Sequence, residues 1–95
     1  MNRGTLLIRA DANAAIGAGH VMRCLALAQG WQDAGGLVVL VAAELPAAIE
    51  KRLIAEKIEV IRLEADPATG NDAIELANLA RQRTARWVVV DATHE

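Results

Sequence analysis

The sequence predicts an α/β fold: a three-layer, Rossmann-like parallel sheet of about four strands with three helices. Four short runs rich in β-branched and aliphatic residues alternate with three segments of helical periodicity, which is typical of parallel βαβ units. The second and fourth runs are almost continuously apolar, as in strands covered on both faces. Right-handed crossovers then place the first strand centrally, with the second and third on one side and the fourth on the other.

The predicted strands are short and each is bounded by turn or helix signals. They span residues 5–10 (TLLIRA), 37–43 (LVVLVAA), 58–63 (IEVIRL) and 86–91 (RWVVVD). The last of these apolar strands is followed by no helix that could cover it. We therefore expect residues 1–95 to form a single, incomplete lobe of a larger domain.

The predicted helices each carry one apolar face. The first runs from about residue 20 to 34 and ends at Gly35 and Gly36, the second begins at Pro46, and the third spans about 71–83. The side chains expected to face inward are Val21, Leu25, Ala28, Ile49, Leu53, Ile54, Ile74, Ala77 and Leu79 or Ala80. Trp31 and Trp87 are also expected to pack in the core.

Composition excludes several classes of function. The formal charge is −2 and the charges are spread along the chain, so binding to nucleic acid or to anionic lipid is not expected. The apolar runs are shorter than the ~20 residues of a membrane span, and the N-terminus has no signal-peptide pattern, so we expect a cytoplasmic protein. The single cysteine, Cys24, can form neither an internal disulfide nor a Cys-rich metal site, and no metal or cofactor is expected.

The candidate site is the loop DANAAIGAGH, which leaves the carboxyl end of the first strand. Ligands of open α/β sheets bind at this edge. Gly17 and Gly19 allow a tight turn and a close approach of a ligand, and the following helix N-terminus favours anionic oxygens. His20 and Arg23 share one helix face, so a general base, kept neutral by the helix dipole, and an anion clamp would be neighbours. The alternative is a histidine that ends the loop beside an arginine that is a surface charge.

Two further acidic residues would face the same edge. Asp11 follows the first strand and Asp91 ends the fourth; each could orient a ligand hydroxyl or cap the adjoining loop. A Walker loop is excluded because the chain has no Gly-Lys pair. A dinucleotide fingerprint is weakened by Met22 at its third glycine position, although Glu44 could serve as the ribose-binding acid.

The segment LLIRADANAAIGAGHVMRCLALAQ (residues 6–29), followed by VVVDATHE (88–95), resembles the N-terminal part of a sugar-nucleotide hydrolase family. This is the UDP-2,4-diacetamido-2,4,6-trideoxy-β-L-altropyranose hydrolase family of pseudaminic acid biosynthesis, which has relatives among spore-coat polysaccharide proteins. The resemblance implies a two-lobed architecture like that of GT-B glycosyltransferases, of which this chain covers most of the first lobe. The second lobe, which supplies most uridine and diphosphate contacts in the family, is not in these 95 residues.

The resemblance also implies a mechanism. The histidine of the GxGH turn, here His20, would activate a water that attacks the anomeric carbon and releases UDP, without a metal. Asp11, Gly17, Gly19, Arg23 and Asp91 would then shape the UDP-sugar site. The family commonly has a tyrosine soon after the aspartate of the fourth strand, whereas this chain has Thr93 and His94, so a hydroxyl ligand to the water is altered or missing.

Two other functions stay open at this point. The chain could be a catalytically inactive α/β fragment or binding module that acts through a partner, or a lobe of a GT-B glycosyltransferase that transfers the sugar to an acceptor. Expected partners are a UDP-sugar and either a second lobe in a separate chain or another copy that associates through the exposed sheet edge.

Overall fold

The chain folds into a four-stranded parallel sheet with three helices, which confirms the predicted α/β, Rossmann-like class. A computed structural model describes residues 4–12, 19–63 and 71–90. The elements in chain order are β1 (Thr5–Arg9), α1 (Gly19–Asp33), β2 (Leu37–Ala42), α2 (Ala47–Ala55), β3 (Glu59–Arg62), α3 (Asn71–Gln82) and β4 (Ala85–Val90). Each predicted boundary lies within one residue of the observed one, because turns and glycines mark the ends of the apolar runs.

The strand order is β3-β2-β1-β4, and all neighbours are parallel. The central strand β1 aligns Leu7 with Val39 of β2 and with Val88 of β4. The prediction that the first strand is central is therefore confirmed. Because the strands are parallel, their carboxyl ends meet at one edge of the sheet, which we call the carboxyl edge.

Two apolar clusters hold the three layers together. The first face of the sheet, which contributes Leu6, Ile8 and Leu40, packs against buried residues of α1 and α2. The second face, which contributes Leu7, Val39 and Val41, packs against α3. The α1 residues that pack inward are Val21, Cys24, Leu25 and Ala28, three of which were predicted to do so. The contacts from α3 come from Leu76, Leu79 and Ala80.

Several inward-facing predictions are wrong. Ile54 is 56% exposed, and Ile74 and Ala77 are exposed as well. A helix on a sheet buries only a narrow stripe, and in α2 that stripe contains the fully buried Leu53, whose neighbour Ile54 is turned about 100° away. In α3 the stripe runs through Leu76 rather than through Ile74 or Ala77.

The strand β4 forms one edge of the sheet and is covered only in part by the described residues. Trp87, expected in the core, is 64% exposed, and Val88 and Val90 are exposed on the second face. The alternation of side chains along a strand places Trp87 on the first face beside Leu6, beyond the cover that α1 provides.

The helices end in residues with a left-handed backbone. After α1, Gly35 has φ +93°, and the amides of Gly35 and Gly36 donate to the carbonyls of Gln32 and Trp31, a Schellman motif. The same position after α2 and after α3 is filled by Lys57 (φ 65°) and Thr84 (φ 52°). The glycine pair was predicted to end α1; the other two ends carry side chains that disfavour this conformation.

We expect the Thr84→Gly substitution to stabilise the protein by about 1 kcal/mol, because it removes the steric cost of a β-branched side chain in the left-handed region. Urea denaturation at equilibrium measures the change. Thr84→Ala is the matched control, since it keeps a Cβ atom and should gain much less. Equal gains from the two substitutions would assign the effect to the lost side chain instead of the backbone.

Candidate functional site

The candidate site lies at the carboxyl edge, where β1 and β2 end. Backbone pairing between the segments that contain β1 and β2 continues beyond the strands: the Ala10 amide donates to Val41 O at 3.1 Å and the Ala12 amide to Glu44 O at 3.0 Å. The base of the loop that follows β1 is therefore joined to the loop that follows β2. Residues 13–18, which form the rest of the predicted glycine turn, lie outside the described residues.

Asp11 connects these two loops through one carboxylate oxygen. Its Oδ1 accepts hydrogen bonds from the Ala43 amide at 2.7 Å and from the Glu44 amide at 3.0 Å. The same oxygen lies 2.9 Å from Nη1 of Arg9. Of the two roles left open for Asp11, the capping of a loop is thus observed, and the loop is the one after β2.

Arg9 is the charged residue at the end of the central strand. Its side chain is only 9% exposed, whereas that of Asp11 is 28% exposed. Alternation along β1 places Arg9 on the second face with Leu7, between Val41 of β2 and Val90 of β4. A guanidinium this buried requires a counter-charge, which Asp11 provides.

The environment of Asp11 favours its ionised form. Burial raises the pKa of this carboxyl, but the hydrogen bonds from Arg9 and from the Glu44 and Ala43 amides, with the charge of Arg9, lower it by more. The pKa therefore lies below its ordinary value of 3.8. At neutral pH Asp11 is an acceptor only.

This pKa shift predicts how stability depends on pH. Because the pKa is lower in the folded state than the ~3.9 of an unfolded chain, the contribution of Asp11 is complete above that value and is lost as pH falls through the folded-state pKa. We expect the free energy of unfolding to fall less steeply between about pH 5 and pH 2 in Asp11→Asn than in the wild type. Urea denaturation at stepped pH measures both slopes, and identical slopes would contradict the expectation.

The loop after β2 is also held from the side of β3. Nη2 of Arg62 donates to the carbonyl oxygen of Leu45 at 2.6 Å, and its Nε donates to Glu50 of α2 at 3.0 Å. The backbone between β2 and α2 is thus fixed by Asp11 through its amides and by Arg62 through a carbonyl. The loop after β2 forms a wall beside the predicted site that is held by these hydrogen bonds.

The predicted base lies in the first turn of α1, and the predicted anion clamp lies at the start of the second turn. The helix begins at Gly19, so His20 and Arg23 follow one and four residues later, although the side chain of His20 lies outside the described residues. Arg23 is exposed, and its Nη1 lies 3.9 Å from the position a Cβ on Gly19 would take. The guanidinium therefore folds back toward the N-terminus of the helix, where the dipole favours anions. The predicted site residues Gly17 and Asp91, like Thr93 and His94, lie outside the described residues.

The described residues around Gly19 do not themselves require glycine at this position. Its φ is not in the left-handed region, and a Cβ there would make only an ordinary contact with Arg23. A close approach of a ligand to the backbone, as the sequence predicts, would be a separate reason for glycine at this position.

Two surface grooves formed by the described residues lie away from the carboxyl edge. The larger, of about 420 Å³, runs along α1 and is lined by Ala26, Leu27, Gly30, Trp31 and Ala34. The other, of about 290 Å³, is lined by Gln32, Gly36, Leu37, Glu56 and Lys57. Neither contains a predicted site residue. The lining of the larger groove includes no ionisable side chain.

Sequence reasoning missed Arg9 and Arg62 as parts of the site. One feature of the sequence could have indicated Arg9: it is a cation that follows the apolar residues of the run TLLIR, at the carboxyl end of a strand predicted to be central. Among the described residues, no three His, Cys, Asp or Glu side chains are grouped so that they could hold a metal ion. None of the helices in the described ranges is long and apolar enough to cross a membrane.

Comparison with known proteins gave no match to a family model, to a curated protein or to a solved structure.

Proposed function

We propose that this chain is the N-terminal lobe of a sugar-nucleotide hydrolase of pseudaminic acid biosynthesis, with His20 as the general base. The observation that supports this best is the position of the loop that precedes α1. It leaves the central strand β1 at the point where β2 lies on one side and β4 on the other. Open α/β sheets bind ligands at such a reversal of strand order.

The proposed reaction is a displacement at the anomeric carbon. A water loses a proton to the neutral imidazole of His20, and its oxygen forms a bond to that carbon. The bond between the carbon and the phosphate oxygen breaks, and its electron pair leaves with UDP. Arg23 and the amides at the start of α1 stabilise the negative charge of the leaving group.

The other predicted residues bind the substrate in this proposal. Gly17 and Gly19 let the diphosphate approach the backbone, and Asp11 and Asp91 orient the sugar. The exposed apolar residues of β4 support the expectation that further protein, a second lobe or another copy, covers this edge of the sheet. Cys24, the single cysteine of the sequence, is buried, which is compatible with the reducing, cytoplasmic compartment that we propose.

The test is an assay of UDP release from the diacetamido-trideoxy UDP-sugar in water enriched in ¹⁸O. Attack at the anomeric carbon leaves UDP without the label, whereas attack at phosphorus places the label in UDP. Release of unlabelled UDP is the expected result. Sugar transfer only when an acceptor is present would favour a glycosyltransferase lobe, and absence of any release at high protein concentration would favour a binding module.

A further inference from the structure

The two oxygens of the Asp11 carboxylate differ in their contacts with the described residues. Oδ1 is engaged by the Ala43 amide, the Glu44 amide and Arg9. Oδ2 has no hydrogen-bond donor among the described residues, although the side chain is 28% exposed at the carboxyl edge. A carboxylate oxygen that is oriented by its partner oxygen and open to solvent can accept a hydrogen bond from a ligand without reorganisation.

We propose that Oδ2 of Asp11 accepts a hydrogen bond from an uncharged donor group on the sugar, a hydroxyl or an amide N–H, and that Arg9 is the residue that positions it. This inference rests on the proposed function, and it assigns each end of the substrate to a different part of the carboxyl edge. The sugar lies against the loop after β2, and the diphosphate lies at the N-terminus of α1 near Arg23.

The negative charge of Asp11 determines which end of the substrate can bind to it. An ionised carboxylate accepts hydrogen bonds and donates none, so it selects a ligand group that carries a proton. A diphosphate has only acceptor oxygens and negative charge, and it would be repelled from Oδ2. Hydrogen bonds to a charged acceptor are also stronger than those between neutral groups.

Arg9 acts on this contact without reaching the ligand. Its side chain is almost completely buried in the second face of the sheet. Its contact with Oδ1, together with the two amides, fixes the rotation of the carboxylate and so the position of Oδ2. A planar guanidinium holds a carboxylate oxygen in one direction, which the point charge of lysine does not.

The experiment compares two probes, UDP and UDP-N-acetylglucosamine, by titration into ¹⁵N-labelled protein. Substitution of Asp11 by Asn keeps an oxygen that can accept from the Ala43 and Glu44 amides, but it replaces the open acceptor with an NH₂ donor. We expect the UDP-sugar to shift the Ala43 and Glu44 amide signals of the wild type and UDP alone to leave them in place. Asp11→Asn should weaken UDP-sugar binding roughly 10-fold, the loss of one hydrogen bond to a charged group, without weakening UDP.

Arg9→Lys tests the positioning role and avoids a change at Asp11 itself. We expect it to weaken UDP-sugar binding several-fold while leaving UDP binding unchanged. Arg83→Lys is the matched control, because Arg83 also pairs with a carboxylate, that of Glu59, but lies just before β4 at the opposite edge of the sheet, and so should not alter the ratio of the two affinities. The dispersion of the amide signals shows whether each variant is folded, and the shifts of the wild-type protein test the contact even if one variant is not.

The outcomes separate this inference from the proposed function. If the wild type binds the UDP-sugar but Asp11→Asn weakens both probes equally or neither, the inference is wrong and the proposed function is unaffected. If UDP alone shifts the Ala43 and Glu44 signals, the assignment of the two substrate ends is reversed and the inference is wrong. If the wild type binds neither probe at millimolar concentration, this inference is wrong, while the proposed function is decided separately by the assay of UDP release.

Discussion

Replacement of His20 by alanine should lower the rate of UDP release by about 10²- to 10⁴-fold, the usual contribution of a positioned general base. The expected loss is in kcat rather than in KM, because His20 is proposed to act on the water and not to bind the sugar. Added imidazole should restore part of the rate, since it can occupy the space that the substitution leaves and accept the same proton. Initial rates with the UDP-sugar at saturating concentration measure both effects.

The control for this substitution is Leu27→Ala, an exposed position two turns further along α1. It shortens a side chain on the same helix away from the carboxyl edge and should leave the rate unchanged. Circular dichroism of both variants reports whether α1 is intact. A folded His20→Ala protein with the wild-type rate would mean that another group accepts the proton, and the proposed mechanism would then be wrong.

The fold could be predicted from the sequence because the patterns that indicate its strands and helices are local and recur along the chain. The apolar runs of β1 and β2 are bounded by turns, and Gly35 and Gly36 mark the end of α1. The ends of α2 and α3 carry no such signal, since Lys57 and Thr84 adopt a left-handed backbone that their side chains disfavour. Tertiary packing imposes that conformation, and a single sequence does not reveal it.

The candidate site was predicted less completely than the fold. The position of His20 and Arg23 near the start of α1 follows from the glycine turn and the helical pattern, and α1 does begin at Gly19. The contacts of Asp11 with the Ala43 and Glu44 amides join residues more than thirty positions apart, so no local pattern could indicate them. The burial of Arg9 could not be predicted either, because it depends on β2 and β4, which lie on either side of Arg9 in the sheet.

Truncation of Leu53 to alanine should destabilise the protein by about 3 kcal/mol, within the range for a fully buried leucine. Leu53 is 0% exposed and is the buried residue of α2, a helix of nine residues. Its side chain fills the space between α2 and the first face of the sheet, so its removal leaves a cavity that this short helix cannot close without losing its other contacts. Thermal unfolding should show a decrease in Tm of roughly 15 °C for a domain of this size.

Ile54→Ala is the matched control, because it also truncates a branched aliphatic side chain to alanine, at the adjacent position. Ile54 is 56% exposed, and alanine is the better helix former, so the two effects should nearly cancel and leave the change below about 0.5 kcal/mol. The large difference expected between adjacent residues depends entirely on which of them faces the sheet. Equal losses at both positions would mean that α2 is rotated relative to the arrangement described here. Arg62, which joins β3 to Glu50 and Leu45, would then have to find different partners, and the wall beside the candidate site would change with it.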